Sequence, residues 1–173
     1  MFSGTKRFLF FIFLFNLLIN NNLNAQQFKN EEELRKEADR LFEEDEFTKA
    51  YNLFSQLVAL YPKDPDLNYK LGVCMLFSEP DKKKCFTYLK FAAQHPKDAP
   101  KDAKFYYAKA FHINYMFDEA LTYYREYKNI GSAAQQKRLQ VDQEISACVN
   151  GKRLLATMSE LVVLSLSLIH IFF

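Results

Sequence analysis

The tetrapeptide Tyr-Pro-Lys-Asp at residues 61–64 recurs as His-Pro-Lys-Asp at residues 95–98, a shift of 34 residues. A second match relates segment 46–50 to segment 116–120 at a shift of 70, which equals two periods of 34 plus two loop residues. Recurrence at such a period indicates an array of structural repeats. Because proline cannot continue a helix, the proline of each tetrapeptide predicts a helix end there.

Small residues occupy corresponding places in the repeats, where two antiparallel helices must approach closely. The predicted pairs are Ala38 with Ala50, Gly72 with Cys85, and Ala108 with Ala120. The helix pairs themselves are predicted over residues 31–44 and 47–60, 66–77 and 82–94, and 101–114 and 118–129. Asp64 followed by Pro65 predicts an N-cap with proline at the first helical position.

The composition agrees with a helical protein. Hydrophobic residues make up 49% and charged residues 25% of the 173 residues, which excludes a disordered chain. There are only four glycines and 16% aromatic residues. So little glycine argues against phosphate-binding α/β sheets and hairpin-rich β folds, since both need glycine at turns.

The period, the small residues and the prolines together resemble the tetratricopeptide-repeat family over residues 31–130. The chain departs from the family at Leu34, where tryptophan is common, at Cys85, where alanine is usual, and in lacking a proline after the third unit. The resemblance implies an all-α fold, a right-handed stack of three helix-turn-helix units (31–64, 65–98 and 101–130). A C-terminal capping helix is predicted over residues 132–150, starting after Gly131-Ser132 and ending at Asn150-Gly151, with an apolar stripe of Ala134, Val141, Ile145 and Cys148.

Residues 1–25 have the layout of a secretory signal peptide. Lys6 and Arg7 precede the apolar run 8–19, and a small residue, Ala25, marks the expected cleavage site. An uncleaved membrane anchor is the alternative. Without Lys6 and Arg7, the mature chain has 21 basic and 21 acidic residues (23 − 2 against 21), so nucleic acid is not an expected partner. We expect an exported protein that is periplasmic or associated with the outer membrane.

Residues 151–173 are predicted to form a linker and a β-like tail around Leu161–Leu164. The last 20 residues carry one charge, that of Glu160, so a C-terminal membrane anchor is an alternative on length alone. The ending Ser-Leu-Ile-His-Ile-Phe-Phe is more typical of a truncated or non-native C-terminus.

The order of signal peptide, aromatic-rich repeats, capping helix and strand-like segment also resembles a narrower group. These are large periplasmic proteins of gliding and type IX-secreting bacteria, in which a β-propeller and an OmpA-like peptidoglycan-binding domain follow the repeats. The resemblance implies that this chain is the N-terminal part of such a protein, with indirect association to the outer membrane or peptidoglycan.

No catalytic or metal-binding motif is present, so we predict a non-enzymatic protein without cofactor or metal. His95, His112 and His170 lack the spacing of zinc ligands, and no phosphate loop or nucleophile elbow occurs. The three cysteines are interpreted as buried thiols, with a Cys74–Cys85 or a Cys74–Cys148 disulfide as alternatives.

The resemblance also implies a binding groove. In tetratricopeptide arrays the first helix of each unit lines the concave face at its second, fifth, ninth, twelfth and thirteenth positions. Counted on this chain, those positions predict the following partner-binding residues: Arg35, Asp39, Phe42, Tyr69, Val73, Leu76, Phe77, Phe105, Lys109 and His112. This set offers an aromatic floor edged by isolated charges, which suits an apolar segment of a protein or peptide. The alternative is that Tyr69, Phe77 and Phe105 simply pack between repeats.

The sequence therefore predicts an exported, non-enzymatic protein-interaction scaffold. In the alternative function, the repeats position other domains of a larger envelope protein.

Overall fold

The computed structural model describes residues 30–172, and their side chains through residue 165. The helices of this part are α1 (Glu31–Glu43), α2 (Phe47–Leu60), α3 (Pro65–Ser78), α4 (Phe86–Gln94), α5 (Asp102–Ile113), α6 (Phe117–Ile130), α7 (Ala133–Arg138) and α8 (Val141–Phe172). No strand occurs among the described residues. The predicted all-α helical-repeat fold is confirmed.

The chain divides into two compact units, Met1–Leu34 and Arg35–Phe173. Of the first unit the structure describes residues 30–34, where the Asn30 side chain accepts a hydrogen bond of 2.9 Å from the Glu33 amide at the start of α1. The predicted signal peptide, residues 1–25, lies outside the described residues. All packing reported below belongs to the second unit.

Consecutive helices of the second unit pack as antiparallel pairs. In α5 and α6, Asp102 at one end meets Tyr127, while His112 at the other end meets Phe117. Helices α2 and α3, α3 and α4, and α4 and α5 also lie in contact. From α2 to α6, each helix therefore packs against the next one along the chain, which is how a repeat array builds its core.

The small residues predicted at the helix contacts are buried. Ala38, Ala50, Cys85, Ala108 and Ala120 are all fully buried. A Cβ at Gly72 would lie 2.7 Å from Cγ of Leu89, so α3 and α4 touch at this point. Leu89 therefore meets Gly72 at the α3–α4 contact, where Cys85 was predicted as its partner.

Two turns confirm the shift of 70 residues found in the sequence. Asp45, between α1 and α2, has a φ of 58°, and Tyr115, between α5 and α6, has a φ of 62°. These residues are 70 positions apart and both adopt the left-handed conformation. The predicted cap is also present, because the Asp64 carboxylate accepts hydrogen bonds from the amides of Asp66 (3.0 Å) and Leu67 (3.1 Å).

The predicted single helix after Gly131 is instead two helices. Ser132 and Gln135 form a reciprocal capping box at the start of α7, as the sequence suggested for the helix start. The chain then turns at Gln140, which has a φ of 51°, and α8 begins. Because of this turn the predicted apolar stripe is interrupted: Val141 and Cys148 are buried, whereas Ala134 is exposed.

The helix end predicted at Gly151 and the β-like run 161–164 differ from the structure, in which α8 continues through both. Gly151 does not have a positive φ, so it does not form a left-handed cap. A Cβ on Gly151 would lie 2.8 Å from Cε1 and Cζ of Phe117. The glycine is therefore needed for close packing of α8 on the Phe117 ring rather than for ending a helix.

Beyond Gly151 the apolar side chains of α8 up to Leu164 are exposed. Within the described part of the chain, no helix combines the length and the hydropathy that a bilayer crossing requires.

Candidate functional site

The predicted groove residues differ widely in exposure. Tyr69, Val73, Leu76 and Phe105 are buried, Phe77 is 45% exposed, and the other five are partly exposed: Arg35, Asp39, Phe42, Lys109 and His112. A buried side chain packs against its neighbours and offers little surface to a partner. Tyr69 and Phe105 therefore contribute to the core, and Phe77 provides most of the accessible surface of the predicted floor.

Five aromatic rings, Phe77 among them, form what we call the aromatic cluster: Phe42, Phe47, Tyr69, Phe77 and Tyr106. Phe77 stacks on Phe47 at a centroid distance of 4.8 Å and an interplanar angle of 19°. Phe42 meets Phe47 at 5.7 Å and Tyr69 at 6.0 Å. Tyr106 lies 5.9 Å from Tyr69 and 6.3 Å from Phe77, which closes the circle.

The aromatic cluster joins three repeats. Phe42 and Phe47 come from the ends of α1 and α2 that meet at the first turn, Tyr69 and Phe77 from α3, and Tyr106 from α5. Tyr69 is the buried base, while Phe77 is the most exposed ring. Such ring pairs stabilise by about 0.5–1.5 kcal/mol beyond their burial, so the cluster is a preformed apolar surface.

Both tyrosines of the aromatic cluster stay neutral at neutral pH. Burial raises the pKa of Tyr69, and the neighbouring Tyr106 adds to the rise. Burial also raises the pKa of Tyr106; Arg138 opposes the shift, and the carboxylates of Asp102 and Asp45 reinforce it. The cluster therefore contains two neutral phenol groups and carries no charge of its own.

Two of the predicted charged residues are held by other partners near the first repeat. Asp39 accepts a hydrogen bond of 2.8 Å from Lys70, which also pairs with Asp66 at 2.8 Å. The guanidinium of Arg35 lies 4.9 Å from the centre of the Tyr61 ring.

Lys109 and His112 contact helix α8. Lys109 donates to Glu144 at 2.5 Å, and His112 Nδ1 lies 3.4 Å from the other Glu144 oxygen and 3.4 Å from the Tyr124 hydroxyl. Tyr124 donates to Glu144 at 3.2 Å. Burial lowers the pKa of His112 against the opposing effect of Glu144, so the imidazole is neutral at pH 7. These two residues help to dock α8 in this structure.

A polar cluster that was not identified from the sequence lies at the start of α5. The buried carboxylate of Asp102 accepts hydrogen bonds from the Tyr127 hydroxyl at 2.6 Å and from Gln135 at 3.2 Å, and it pairs with Arg138. Burial raises the pKa of Tyr127, and its hydrogen bond to Asp102 adds to the rise. The carboxylate thereby holds α7 against α5 and α6 and places Arg138 near Tyr106.

Sequence reasoning missed Phe47 and Tyr106 as members of the face. The concave-face positions were counted only on the first helix of each repeat. Phe47 lies on a second helix, and Tyr106 lies on a first helix at a position that is not among those counted. A signal was present in the consecutive aromatic residues 105–107. Successive residues on a helix point about 100° apart, so three adjacent rings cannot all enter one core. In the structure Phe105 and Tyr107 are buried, whereas Tyr106 is half-buried and contacts Tyr69 and Phe77.

The cysteines are free and buried, so neither disulfide alternative is present. Burial raises the pKa of Cys74 to about 12 and that of Cys85 to about 11, and it also raises the pKa of Cys148. These thiols are therefore protonated at neutral pH and poor nucleophiles. Among the described residues, no group of three histidine, cysteine or acidic side chains is placed to hold a metal ion.

The fold is shared with a solved structure. The type III secretion chaperone SycD of Yersinia enterocolitica, determined in complex with a peptide of the translocator YopD, superimposes with a TM-score of 0.58 and 17% sequence identity. The match covers 75% of this chain and 99% of the chaperone chain. No protein-family model and no curated protein sequence matches the chain.

At this identity the likeness establishes a tetratricopeptide-like helical-repeat fold. The resemblance to proteins with a β-propeller and an OmpA-like domain gains no support from these comparisons. That resemblance rested in part on a strand predicted at residues 161–164, and these residues are helical, within α8.

Proposed function

We propose that this protein is a non-enzymatic scaffold that binds an apolar segment of a partner protein on the aromatic cluster. The observation that carries the proposal is the exposed ring of Phe77, stacked on Phe47 at 4.8 Å in a preformed aromatic surface. Exposed aromatic residues with fixed neighbours are typical of binding hot spots, because little conformational entropy is lost when they are covered.

The structural neighbour supports the same use of the fold, since it was determined with a bound peptide. The chemistry of two groups adds to this support. The three thiols are buried and protonated, and His112 pairs with Glu144, so these groups take part in packing.

A peptide library displayed on phage tests the proposal. Selection on the full chain should enrich peptides with aromatic or aliphatic anchors, and Phe77→Ala should weaken their binding about ten-fold, as expected for an aromatic hot spot. Leu60→Ala is the matched control, because Leu60 is exposed at the end of α2 and is not part of the aromatic cluster. Equal enrichment on Phe77→Ala and on the unaltered chain would contradict the proposal.

Melting of Phe77→Ala separates a binding defect from unfolding. The substitution removes one stacked ring pair, so we expect a loss of about 0.5–1.5 kcal/mol in stability and unchanged helicity. A variant that loses its circular dichroism signal would place Phe77 in the core and move the binding surface elsewhere.

We further propose that the scaffold acts outside the cytoplasm, in the periplasm or at the outer membrane. The support is the sequence of residues 1–25, with Lys6 and Arg7 before an apolar run. Mass spectrometry of envelope fractions should find an N-terminus at or near Gln26, and a membrane-embedded chain that retains Met1 would refute export.

A further inference from the structure

The turn between α1 and α2 carries an excess of negative charge. Its residues 43–46 are all acidic and exposed. Glu44 pairs with Arg40 at 2.5 Å, and Glu46 pairs with Lys49 at 3.1 Å. Glu43 and Asp45 form no ion pair with any residue that the structure describes. We call these two residues the acidic rim.

Both residues of the acidic rim lie close in the chain to Phe42 and Phe47 of the aromatic cluster. Asp45 lies between Phe42 and Phe47 in the chain, its amide donates to the Phe42 carbonyl at 3.2 Å, and its own carbonyl accepts from the Phe47 amide at 2.8 Å. The Asp45 carboxylate also contributes to the raised pKa of Tyr106, after burial and Asp102, so it acts on a third ring of the cluster. An unpaired carboxylate therefore stands beside an exposed apolar surface.

Two cations near the aromatic cluster are already paired with carboxylates. Lys70 is matched by Asp39 and Asp66. Arg138 is matched by Asp102. The net charge near this surface is therefore negative, and it comes from the acidic rim and from the second carboxylate paired with Lys70.

Local stability does not account for Glu43. It is the last residue of α1, where the helix dipole favours cations and disfavours carboxylates. Arg40, the basic residue of that last turn, is already bonded to Glu37 and Glu44. The residue therefore weakens its own helix slightly, and its charge is available to a partner.

We propose that the aromatic cluster and the acidic rim together select a partner segment that carries lysine or arginine next to its apolar anchor. This inference rests on the proposed function and names the chemistry of the partner. The anchor covers Phe77 and Phe47, and the cation lies against Asp45 and Glu43. Complementary charge at the edge of an apolar contact gives specificity and faster association more than raw affinity.

Three short synthetic peptides serve as probes. Each has the same central Leu-Phe anchor and a fluorescent label, with flanking residues that are lysine, glutamine or glutamate. Binding to the full chain is measured by fluorescence anisotropy. We expect the lysine peptide to bind about three- to ten-fold tighter than the glutamate peptide, with the glutamine peptide between them, because each exposed ion pair contributes a few-fold. High salt should shrink the difference.

The variants are chosen to leave the backbone undisturbed. Asp45 has a positive φ, which asparagine tolerates well, so Asp45→Asn with Glu43→Gln removes the charge without new strain. This double variant should bring the three peptides within about two-fold of one another. Glu43→Lys places a cation at a helix C-terminus, where it is favourable, and should shift the preference toward the glutamate peptide. Asp98→Asn is the control, an exposed carboxylate in the α4–α5 connection.

The outcomes separate this inference from the proposed function. If all three peptides bind equally and Phe77→Ala weakens each of them, the acidic rim does not select the partner, and the scaffold function stands. If no peptide binds, or if binding is insensitive to Phe77→Ala, both proposals fail. A preference for lysine that persists in the double variant would also overturn the role of Glu43 and Asp45.

Discussion

The hydrogen bond between Tyr127 and Asp102 should be the most stabilising polar interaction of the third repeat. The Tyr127 side chain is completely buried, and the bond length is 2.6 Å. Tyr127→Phe removes the donor while leaving the ring in place. Hydrogen bonds to charged groups contribute about 1.5–3 kcal/mol, and a buried carboxylate that loses a donor is penalised further. We therefore expect Tyr127→Phe to lower the free energy of unfolding by about 2–3 kcal/mol.

The ion pair from Arg138 to the same carboxylate should contribute much less. The Arg138 side chain is 59% exposed, so water screens the pair, and exposed pairs are worth about 0–1 kcal/mol. Arg138→Gln should therefore cost at most about 1 kcal/mol. Double-mutant cycles with Asp102→Asn should reproduce this order, with a larger coupling energy for Tyr127 than for Arg138.

Urea unfolding followed by far-UV circular dichroism measures these differences, provided that all variants share one m-value. Tyr124→Phe is the matched control, since its hydrogen bond to Glu144 is longer, at 3.2 Å, and the acceptor is less buried. We expect a loss of about 0.5–1.5 kcal/mol there. If Arg138→Gln costs more than Tyr127→Phe, or if Tyr127→Phe is neutral, the assignment of Asp102 as a buried acceptor is wrong.

Two further predictions concern packing and titration. Gly151→Ala should destabilise the chain by about 1–2 kcal/mol, because overpacking against the buried Phe117 ring outweighs the gain in helix propensity. The control variant Asn150→Ala should be nearly neutral, and thermal unfolding measures both. A stabilised Gly151→Ala would show that α8 does not pack on Phe117 at this point. The buried thiols should resist alkylation until the chain unfolds. Their pKa values are raised by folding, so the folded chain keeps protons that the unfolded chain releases at high pH. Stability should therefore fall as the pH rises from about 9, the ordinary pKa of a thiol, toward about 11, the pKa of Cys85 in the folded chain. Rapid labelling of the native protein at pH 8 would contradict the burial of the thiols.

The repeat period and the helix pairs could be predicted because they depend on local patterns. Pro62 and Pro96 interrupt helices wherever they occur, and Asp64 can cap only the helix that follows it. The recurrence at 70 residues correctly related the turns at Asp45 and Tyr115. These features involve residues close together in the chain, so sequence spacing alone determines them.

The functional face depended on contacts between repeats. Residues 105–107 are all aromatic, and only packing against α3 and α6 decides that Phe105 is buried while Tyr106 joins the aromatic cluster. Tyr69 and Phe77 share one helix, yet one is core and the other is surface.

The sequence by itself therefore determined an all-helical repeat array, the burial of its small residues and the Asp64 cap. Only the tertiary structure showed that Gly151 is a packing contact inside α8 and that the Asp102 carboxylate gathers partners 25, 33 and 36 residues away. A glycine can end a helix or admit a ring, and a carboxylate can cap, pair or be solvated. The role of each residue depends on which side chains, distant in the sequence, pack beside it in the fold. Burial and hydrogen bonding depend on distance in space rather than along the chain.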